Sequence, residues 1–428
     1  NHEPLPVDVS QLDAVILSHA HLDHSGRLPI LLREGYSGPI YMTRPTADLI
    51  EVLLKDAASL QERDAEWENK RRQRSGKPLI EPLYRKEEVD GVLKQCIPIR
   101  YYTKRKITQD VELNFADAGH ILGSAIVEIC ITENGDVKKL VFSGDLGNSQ
   151  AALLRDPDII KEADIVLLES TYGDRNHRSM EATLDEFEQV ILQASENGGN
   201  ILIPSFAVGR TQEIIFRLGE LYQQGKLAQQ RVFLDSPMAI AVTEIYHRYQ
   251  DVYNEEDLDA ISDSAERVHS QNQSLHSLLP ILSYTTSTEE SIALNKVVSG
   301  AIIIAGSGMC NGGRIRHHLK QNLWRKQSHV VFVGFQAMGT PGRKIIDGAT
   351  HVKMAGEDIA VRAQIHTLGG FSAHASQEQL IDWLSHFNTL PKIYLIHGEE
   401  GAKHTLQSAI KEKGWNAFIP HFEETIRF

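Results

Sequence analysis

A cluster of potential metal ligands lies near the start of the 428-residue sequence, in the segment SHAHLDH at 18–24. A strand-like apolar run precedes this segment. Side chains two residues apart on an extended segment point the same way, so His19 and His21 can share one ion. Asp23 and His24 follow on a turn and can face a second ion beside the first. Three imidazoles and a carboxylate so close together suit zinc, which binds nitrogen and oxygen donors.

A two-metal site needs ligands from elsewhere in the chain, and three further residues occur in similar contexts. His120 lies in the sequence DAGHILGS, Asp145 follows a strand-like run in FSGDLG, and His397 ends the strand-like run at 393–396. Each of them alone is more often an ordinary polar residue at a strand end. Their combination with the first cluster favours a pair of ions that the carboxylate of Asp145 could bridge.

The elements that must position these residues are short strands and helices. Apolar runs of about four residues recur along the sequence, bounded by Gly, Pro, Asp or Ser, which is typical of buried strands. Helical stretches at 179–196, 211–224 and 377–386 lie among them. The sequence therefore predicts an α/β fold, and its length predicts about two or three domains.

Composition excludes several classes of protein. The net charge of −13 argues against a uniformly basic nucleic-acid binder and leaves a local patch or bound cations as the route to a polyanion. No apolar run approaches the roughly 18 residues of a membrane span, and no leader-like segment opens the sequence. The three cysteines, Cys96, Cys130 and Cys310, include no C-x-x-C pair, which favours a reducing cytoplasm over a disulfide framework.

The motifs, taken in order, resemble the metallo-β-lactamase superfamily. Within it, the sequence ESTYG at 169–173 and the sequence FSAH at 371–374 resemble motifs A and B of the β-CASP nucleases. The sequence IHGE at 396–399 resembles motif C. This branch includes the endonuclease subunit of the eukaryotic pre-mRNA cleavage and polyadenylation machinery, together with bacterial and archaeal relatives.

The resemblance implies a four-layered αβ/βα sandwich with an inserted α/β domain. The first part of the metallo-β-lactamase domain would cover 1–173, the β-CASP domain 174–361, and the second part of the metallo-β-lactamase domain 362–428. Members of this family usually begin with strands that precede the metal cluster, so those N-terminal strands are expected to be missing from this sequence. The substrate cleft is expected between the two domains.

The resemblance also implies a role for each motif residue. Two Zn²⁺ ions are expected, with Mn²⁺ as the alternative metal. Asp23 would also orient or deprotonate the nucleophile, and His374, steered by Glu169, would protonate the leaving oxygen as general acid. One ion would take three histidines, the other an aspartate and two histidines, with one bridging aspartate: His19, His21 and His120; Asp23, His24 and His397; Asp145.

Two glycine-containing segments in the predicted insertion, at 203–213 and 305–314, suggest phosphate contacts. Both place small residues and an arginine between a strand and a helix, where backbone amides and a guanidinium can hold phosphates. Ordinary tight packing is the alternative interpretation. The candidate substrate-binding residues are Arg210, Ser307, Gly308 and Ser372. For His317 and His318, tight packing or solvent exposure is expected rather than catalysis.

The expected function is zinc-dependent hydrolysis of RNA, endonucleolytic and on single strands, leaving a 3′-hydroxyl and a 5′-phosphate. The alternatives are a 5′-to-3′ exoribonuclease or DNA nuclease with the same site, a catalytically silent RNA-processing scaffold, and a small-ester hydrolase. RNA is the expected partner, and no membrane association is expected. Homodimer formation is an open alternative. We expect modest affinity for long nucleic acid, with a shallow dependence on salt.

One further segment carries no chemistry of its own. Residues 61–77 hold four acidic and six basic side chains around Trp67. The favoured interpretation is a solvated helical hairpin, and the alternative is an arm that contacts RNA.

Overall fold

A computed structural model describes residues 5–267 and 274–427 of the chain. These residues form two compact units. Unit 1 comprises Asn1–Ser149, Asp156–Asn176 and His374–Phe428, and unit 2 comprises Gln150–Arg155 and His177–Ala373. The second unit is thus inserted into the first, as the resemblance implies.

Most of the described strands are short, and four of the eighteen are buried at every residue. In chain order they are β1 Val15–Ile16, β2 Ile40–Thr43, β3 Cys96–Ile99, β4 Arg105–Lys106, β5 Val111–Asp117, β6 Ala125–Glu133, β7 Asp136–Phe142, β8 Ile165–Leu168, β9 Ile201–Pro204, β10 Arg231–Leu234, β11 Leu282–Tyr284, β12 Ala301–Ala305, β13 His329–Phe332, β14 His351–Met354, β15 Glu357–Ala360, β16 Gln364–Thr367, β17 Lys392–Leu395 and β18 Ala417–Phe418.

The described helices range from one turn to more than eight turns. They are α1 Leu22–Ser25, α2 Leu28–Arg33, α3 Arg44–Arg74, α4 Lys86–Gln95, α5 Met180–Asn197, α6 Arg210–Gln223, α7 Pro237–Arg248, α8 Glu255–Arg267, α9 Leu275–Leu278, α10 Thr288–Ala293, α11 Ile315–Asn322, α12 Pro341–Ile346, α13 Gln377–Ser385 and α14 Glu400–Glu412. No helix in the described ranges is long and apolar enough to cross a bilayer.

Unit 1 is a sandwich of two sheets. One sheet has three parallel strands in the order β1-β2-β3, and the other has seven strands in the order β18-β17-β8-β7-β6-β5-β4. Apolar side chains of both sheets, among them Tyr41, Ile99 and Phe115, share one buried cluster. Helices α13 and α14 bury Leu384 and Leu406 in a cluster with β8 and β17, while α3 packs on β2 and β3. These layers confirm the predicted αβ/βα sandwich.

Unit 2 is built on a parallel six-stranded sheet in the order β11-β10-β12-β9-β13-β16. Strands β9, β12 and β13 are buried along their whole length, as expected where helices cover both faces of a parallel sheet. The predicted insertion ended at 361. Unit 2 continues to Ala373 because β16 pairs in parallel with β13.

Candidate metal centre

The strand directions in the larger sheet of unit 1 bring distant ligands to one edge. Strands β7, β8 and β17 are parallel neighbours, and β5 runs in the same direction because β6 is antiparallel to both β5 and β7. The loops after the carboxyl ends of these strands therefore meet. They carry His120 after β5, Asp145 after β7, Glu169 after β8 and His397 after β17.

The histidine-rich segment after β1 joins the same edge. The amide of Ala125, at the start of β6, donates a 2.9 Å hydrogen bond to the Ser18 carbonyl, which fixes the chain just before His19. The loops that carry His120 and Asp145 approach closely at Gly147. A Cβ atom at Gly147 would lie 2.1 Å from the carbonyl oxygen of Gly119, so no larger residue fits there.

The structure brings all seven predicted ligands together in two sets. One set contains His19, His21, His120 and Asp145, and the other contains Asp23, His24 and His397; within each set the donor atoms lie within 4.8 Å of one another. The carboxylate of Asp145 faces both sets. Its Oδ2 lies 3.3 Å from the Nε2 atoms of His19 and His24, and its Oδ1 lies 3.4 Å from Nδ1 of His397.

Several donor atoms of the two sets are left without a hydrogen-bond partner within the described part of the chain and could bind metal ions. The buried Nε2 atoms of His19 and His24 and the buried Oδ1 of Asp145 make no hydrogen bond with any described residue. Burial lowers the pKa of His21 to about 3 and that of His120 well below its usual range, so both rings are neutral and offer a lone pair. Buried, neutral imidazoles around an unsatisfied carboxylate form a donor set for divalent cations.

Hydroxyl groups contact two of the candidate ligand rings. The Ser18 hydroxyl oxygen lies 3.1 Å from Nδ1 of His19, and that of Thr171 lies 3.1 Å from Nδ1 of His397. Such contacts fix the orientation of a ligand imidazole and leave its other nitrogen for the metal. Neither residue was among the predicted site residues. The only sequence signal was a hydroxyl residue within two positions of a predicted site residue.

The predicted catalytic pair, Glu169 and His374, lies beside the candidate ligands. Glu169 is fully buried, and its Oε1 accepts a 2.8 Å hydrogen bond from the Leu146 amide and lies 3.2 Å from Nδ1 of His374. Its Oε2 accepts from the Thr171 amide. Burial acts to lower the pKa of His374, but the Glu169 carboxylate raises it above its usual value. The ring centroid of His374 lies 4.4 Å from that of His120.

Three family models match successive parts of the chain. They are the metallo-beta-lactamase superfamily domain at residues 3–171, the Beta-Casp domain at 211–345 and the Zn-dependent metallo-hydrolase RNA specificity domain at 358–420. The chain is also 39% identical to Ribonuclease TTHA0252 of Thermus thermophilus over 427 residues, which covers 100% of this chain and 90% of that protein. It belongs to the β-CASP family of the metallo-β-lactamase superfamily. It is therefore a metal-dependent hydrolase.

Archaeal members of the β-CASP family are also similar. The chain is 32% identical to the transcription termination factor FttA of Methanocaldococcus jannaschii, over 92% of this chain and 59% of that protein. The corresponding factor of Thermococcus kodakarensis is 33% identical, over 98% of this chain and 63% of that protein. The chain thus spans about three-fifths of these archaeal relatives.

The four candidate substrate-binding residues all lie in unit 2 of this β-CASP chain. Arg210 is buried at the start of α6, where its guanidinium is paired with the Glu213 carboxylate. The Ser307 hydroxyl donates to Asn311 Oδ1 at 2.9 Å, and a Cβ atom at Gly308 would lie 2.7 Å from the Phe206 ring. Phosphate contacts by these residues stay a prediction, as does one by the buried Ser372.

A buried polar network in unit 2 was not anticipated from the sequence. Asp235 follows β10, and its carboxylate lies 2.6 Å from Nε2 of the buried His318 and accepts hydrogen bonds from Thr285, Ser291 and Arg314. His318 thus packs, as expected, although its charged partner had no sequence signal. These four side chains on one carboxylate fix the ends of β10 and β11.

Proposed function

We propose that this chain is a zinc-dependent endoribonuclease that cuts single-stranded RNA and leaves a 3′-hydroxyl and a 5′-phosphate. The observation that carries the proposal is the carboxylate of Asp145 facing two sets of metal donors, with the His374–Glu169 pair beside them. The match to a domain described by its RNA specificity and the similarity to a protein named ribonuclease support RNA as the substrate.

The ligand sets divide between two zinc ions. His19, His21 and His120 would hold one ion, Asp23, His24 and His397 the other, and Asp145 would bridge them. Bound divalent ions would polarise the scissile phosphate and supply a water that deprotonates near neutral pH. The nitrogen and carboxylate donors suit zinc, and Mn²⁺ is the alternative metal.

Two residues of the chain would move protons. Asp23 is 65% exposed, and its Oδ2 lies 3.6 Å from Nε2 of both His24 and His397. It would orient the attacking water or accept its proton. His374 would donate a proton to the leaving oxygen. Because its Nδ1 contacts Glu169, its Nε2 is the nitrogen that would act. Glu169 is a positioning residue, which orients the ring and raises its pKa.

A circular RNA separates the proposed endonuclease from the exonuclease alternative. Labelled circular RNA incubated with the zinc-loaded chain should first become linear, because an exonuclease cannot begin on a circle. Metal analysis of the same sample should give about two zinc ions per chain. Intact circles beside degraded 5′-phosphorylated linear RNA would establish the exonuclease, and matched DNA circles test the DNA nuclease alternative. If the zinc-loaded chain cuts neither RNA nor DNA, the catalytically silent scaffold is the alternative that remains.

The cysteines support action in the cytoplasm. Cys96, Cys130 and Cys310 are all free, which suits a reducing compartment. Cys310 is buried, and burial raises the pKa of its thiol to about 12, so it is inert.

A further inference from the structure

The end of helix α3 has an open side. The last buried side chain of this 31-residue helix is that of Ala65, nine residues before the helix ends. Beyond that point the following loop covers one side only. Asn69 exchanges two 2.8 Å hydrogen bonds with Ile80, and Arg72 donates to the Pro78 carbonyl at 3.1 Å.

The opposite side carries an aromatic ring and cations. At 100° per residue, Trp67, Arg71 and Arg74 lie roughly opposite Asn69, with Lys70 beside them. We call Trp67, Lys70, Arg71 and Arg74 the α3 platform. The Trp67 side chain is 61% exposed, and the Arg71 guanidinium lies over its indole, 4.8 Å from the ring centroid.

The charge of the platform differs from that of the chain as a whole. The stretch 69–77 contains five basic and no acidic residues in a chain with a net charge of −13. Glu68 lies 3.5 Å from Arg71 and 3.4 Å from Arg72, at a surface where such pairs contribute about 1 kcal/mol or less. The acidic residues of the preceding turns confine the basic surface to the helix end.

Compensation of the helix dipole explains only part of this arrangement. Cations near a helix C-terminus are favourable because they interact with the negative end of the dipole. The dipole effect involves no aromatic ring, so it does not explain the exposed Trp67. An exposed aromatic ring beside arginines is instead the combination that binds bases and phosphates of single-stranded nucleic acid.

We propose that the α3 platform binds single-stranded RNA away from the metal centre. One base stacks on Trp67, while Lys70, Arg71 and Arg74 contact phosphates. The inference rests on the proposed function, which identifies the polymer. It chooses the RNA-contacting interpretation of segment 61–77 over the solvated hairpin.

The helix also sets how long the RNA must be. At its start, the hydroxyls of Thr43 and Thr46 donate to the Gly123 carbonyl at 2.6 and 2.8 Å, in the loop that carries His120. Trp67 comes 23 residues after the first helical residue, which is about 35 Å along a straight helix. A stacked strand that rises about 3.4 Å per nucleotide needs roughly ten nucleotides to cover this distance. A flank of about four nucleotides is therefore too short to reach the platform.

Binding of a fluorescent oligouridylate of about 20 nucleotides tests the platform. The full chain carries His374→Ala throughout, so that the RNA is bound and not cut. Trp67→Ala should weaken binding about tenfold, and Trp67→Phe should retain most of the affinity, because stacking needs only an aromatic face. Arg74→Ala should reduce the slope of log Kd against log salt by about 0.7, as one phosphate contact is lost.

The matched control is Leu60→Ala. Leu60 is 44% exposed on the same face of α3, two turns before Trp67 and outside the basic stretch, and its loss should leave the affinity unchanged. Equal affinities of the Trp67→Ala and Leu60→Ala variants would overturn the platform. If Trp67→Ala weakened the binding of duplex RNA as much as the binding of single-stranded RNA, the platform would also be overturned, because bases in a duplex cannot stack on the indole.

Cleavage by the active chain separates failure of the platform from failure of the proposed function. The ratio of kcat/KM for substrates with flanks of about 20 and about 4 nucleotides should fall about tenfold in Trp67→Ala. An unchanged ratio with active enzyme refutes the platform alone. A wild-type chain that neither binds nor cuts RNA refutes the proposed function and the platform with it.

Discussion

The Thr171 hydroxyl should determine how tightly the chain holds its second metal ion. Its oxygen lies 3.1 Å from Nδ1 of His397, the ligand from the far end of the chain. Thr171→Val removes this contact, keeps the branched shape and retains the backbone amide that donates to Glu169. Loss of a contact that orients a ligand imidazole typically costs about 10–100-fold in metal affinity, or about 1.4–2.7 kcal/mol.

Competition between the protein and a chromophoric zinc chelator measures this effect without reference to activity. We expect Thr171→Val to lose one zinc ion at 10–100-fold lower chelator concentration than the wild type and to keep the other. Thr171→Ser should behave like the wild type, because it retains the hydroxyl. Thr405→Val, which removes an exposed hydroxyl from α14, is the matched control. Identical titrations for Thr171→Val and the wild type would refute the orienting role.

Three further predictions concern the catalytic pair, the bridging carboxylate and the stability of unit 2. His374→Ala should lower RNA turnover by about 10²–10⁴ with zinc content unchanged, and equal loss of both would make His374 a ligand instead. Asp145→Asn should reduce the bound zinc in metal analysis of the purified chain, because this carboxylate faces both ligand sets, and full retention would exclude the bridge. His329 and His366 have stacked rings, and burial lowers the pKa of His329 to about 4. Between about pH 6.5 and 4, the unfolded chain therefore takes up a proton at His329 and the folded chain does not. Urea unfolding should show that the free energy of unfolding falls over that range by up to about 3 kcal/mol. His329→Gln should flatten the profile, and an equally steep profile in that variant would assign the loss to other groups.

The sequence by itself determined the local part of the metal centre. His19 and His21 are two residues apart on an extended segment, so backbone geometry alone turns both toward one point. Asp23 and His24 follow within a single turn, and the structure places them in the second ligand set. The short apolar runs were also sufficient to predict an α/β fold, because buried strands have a clear apolar signature. The αβ/βα sandwich followed from the resemblance that the ordered motifs carry.

The tertiary structure alone decided how distant residues meet. His120, Asp145 and His397 converge because β5, β7 and β17 run in the same direction in one sheet, and strand order is a property of long-range pairing. The same applies to Asp235, whose carboxylate meets Thr285 and His318 only through the fold.

The sequence also could not show which side chains of segment 61–77 are exposed. The composition of segment 61–77 favoured a solvated hairpin and left an RNA-contacting arm as the alternative. The hydrogen bonds of Asn69 to Ile80 and of Arg72 to Pro78 show which side of α3 the following loop covers. The exposure of Trp67 is settled by that packing, because a helical repeat fixes which side chains share a face and cannot tell which face the rest of the chain will bury.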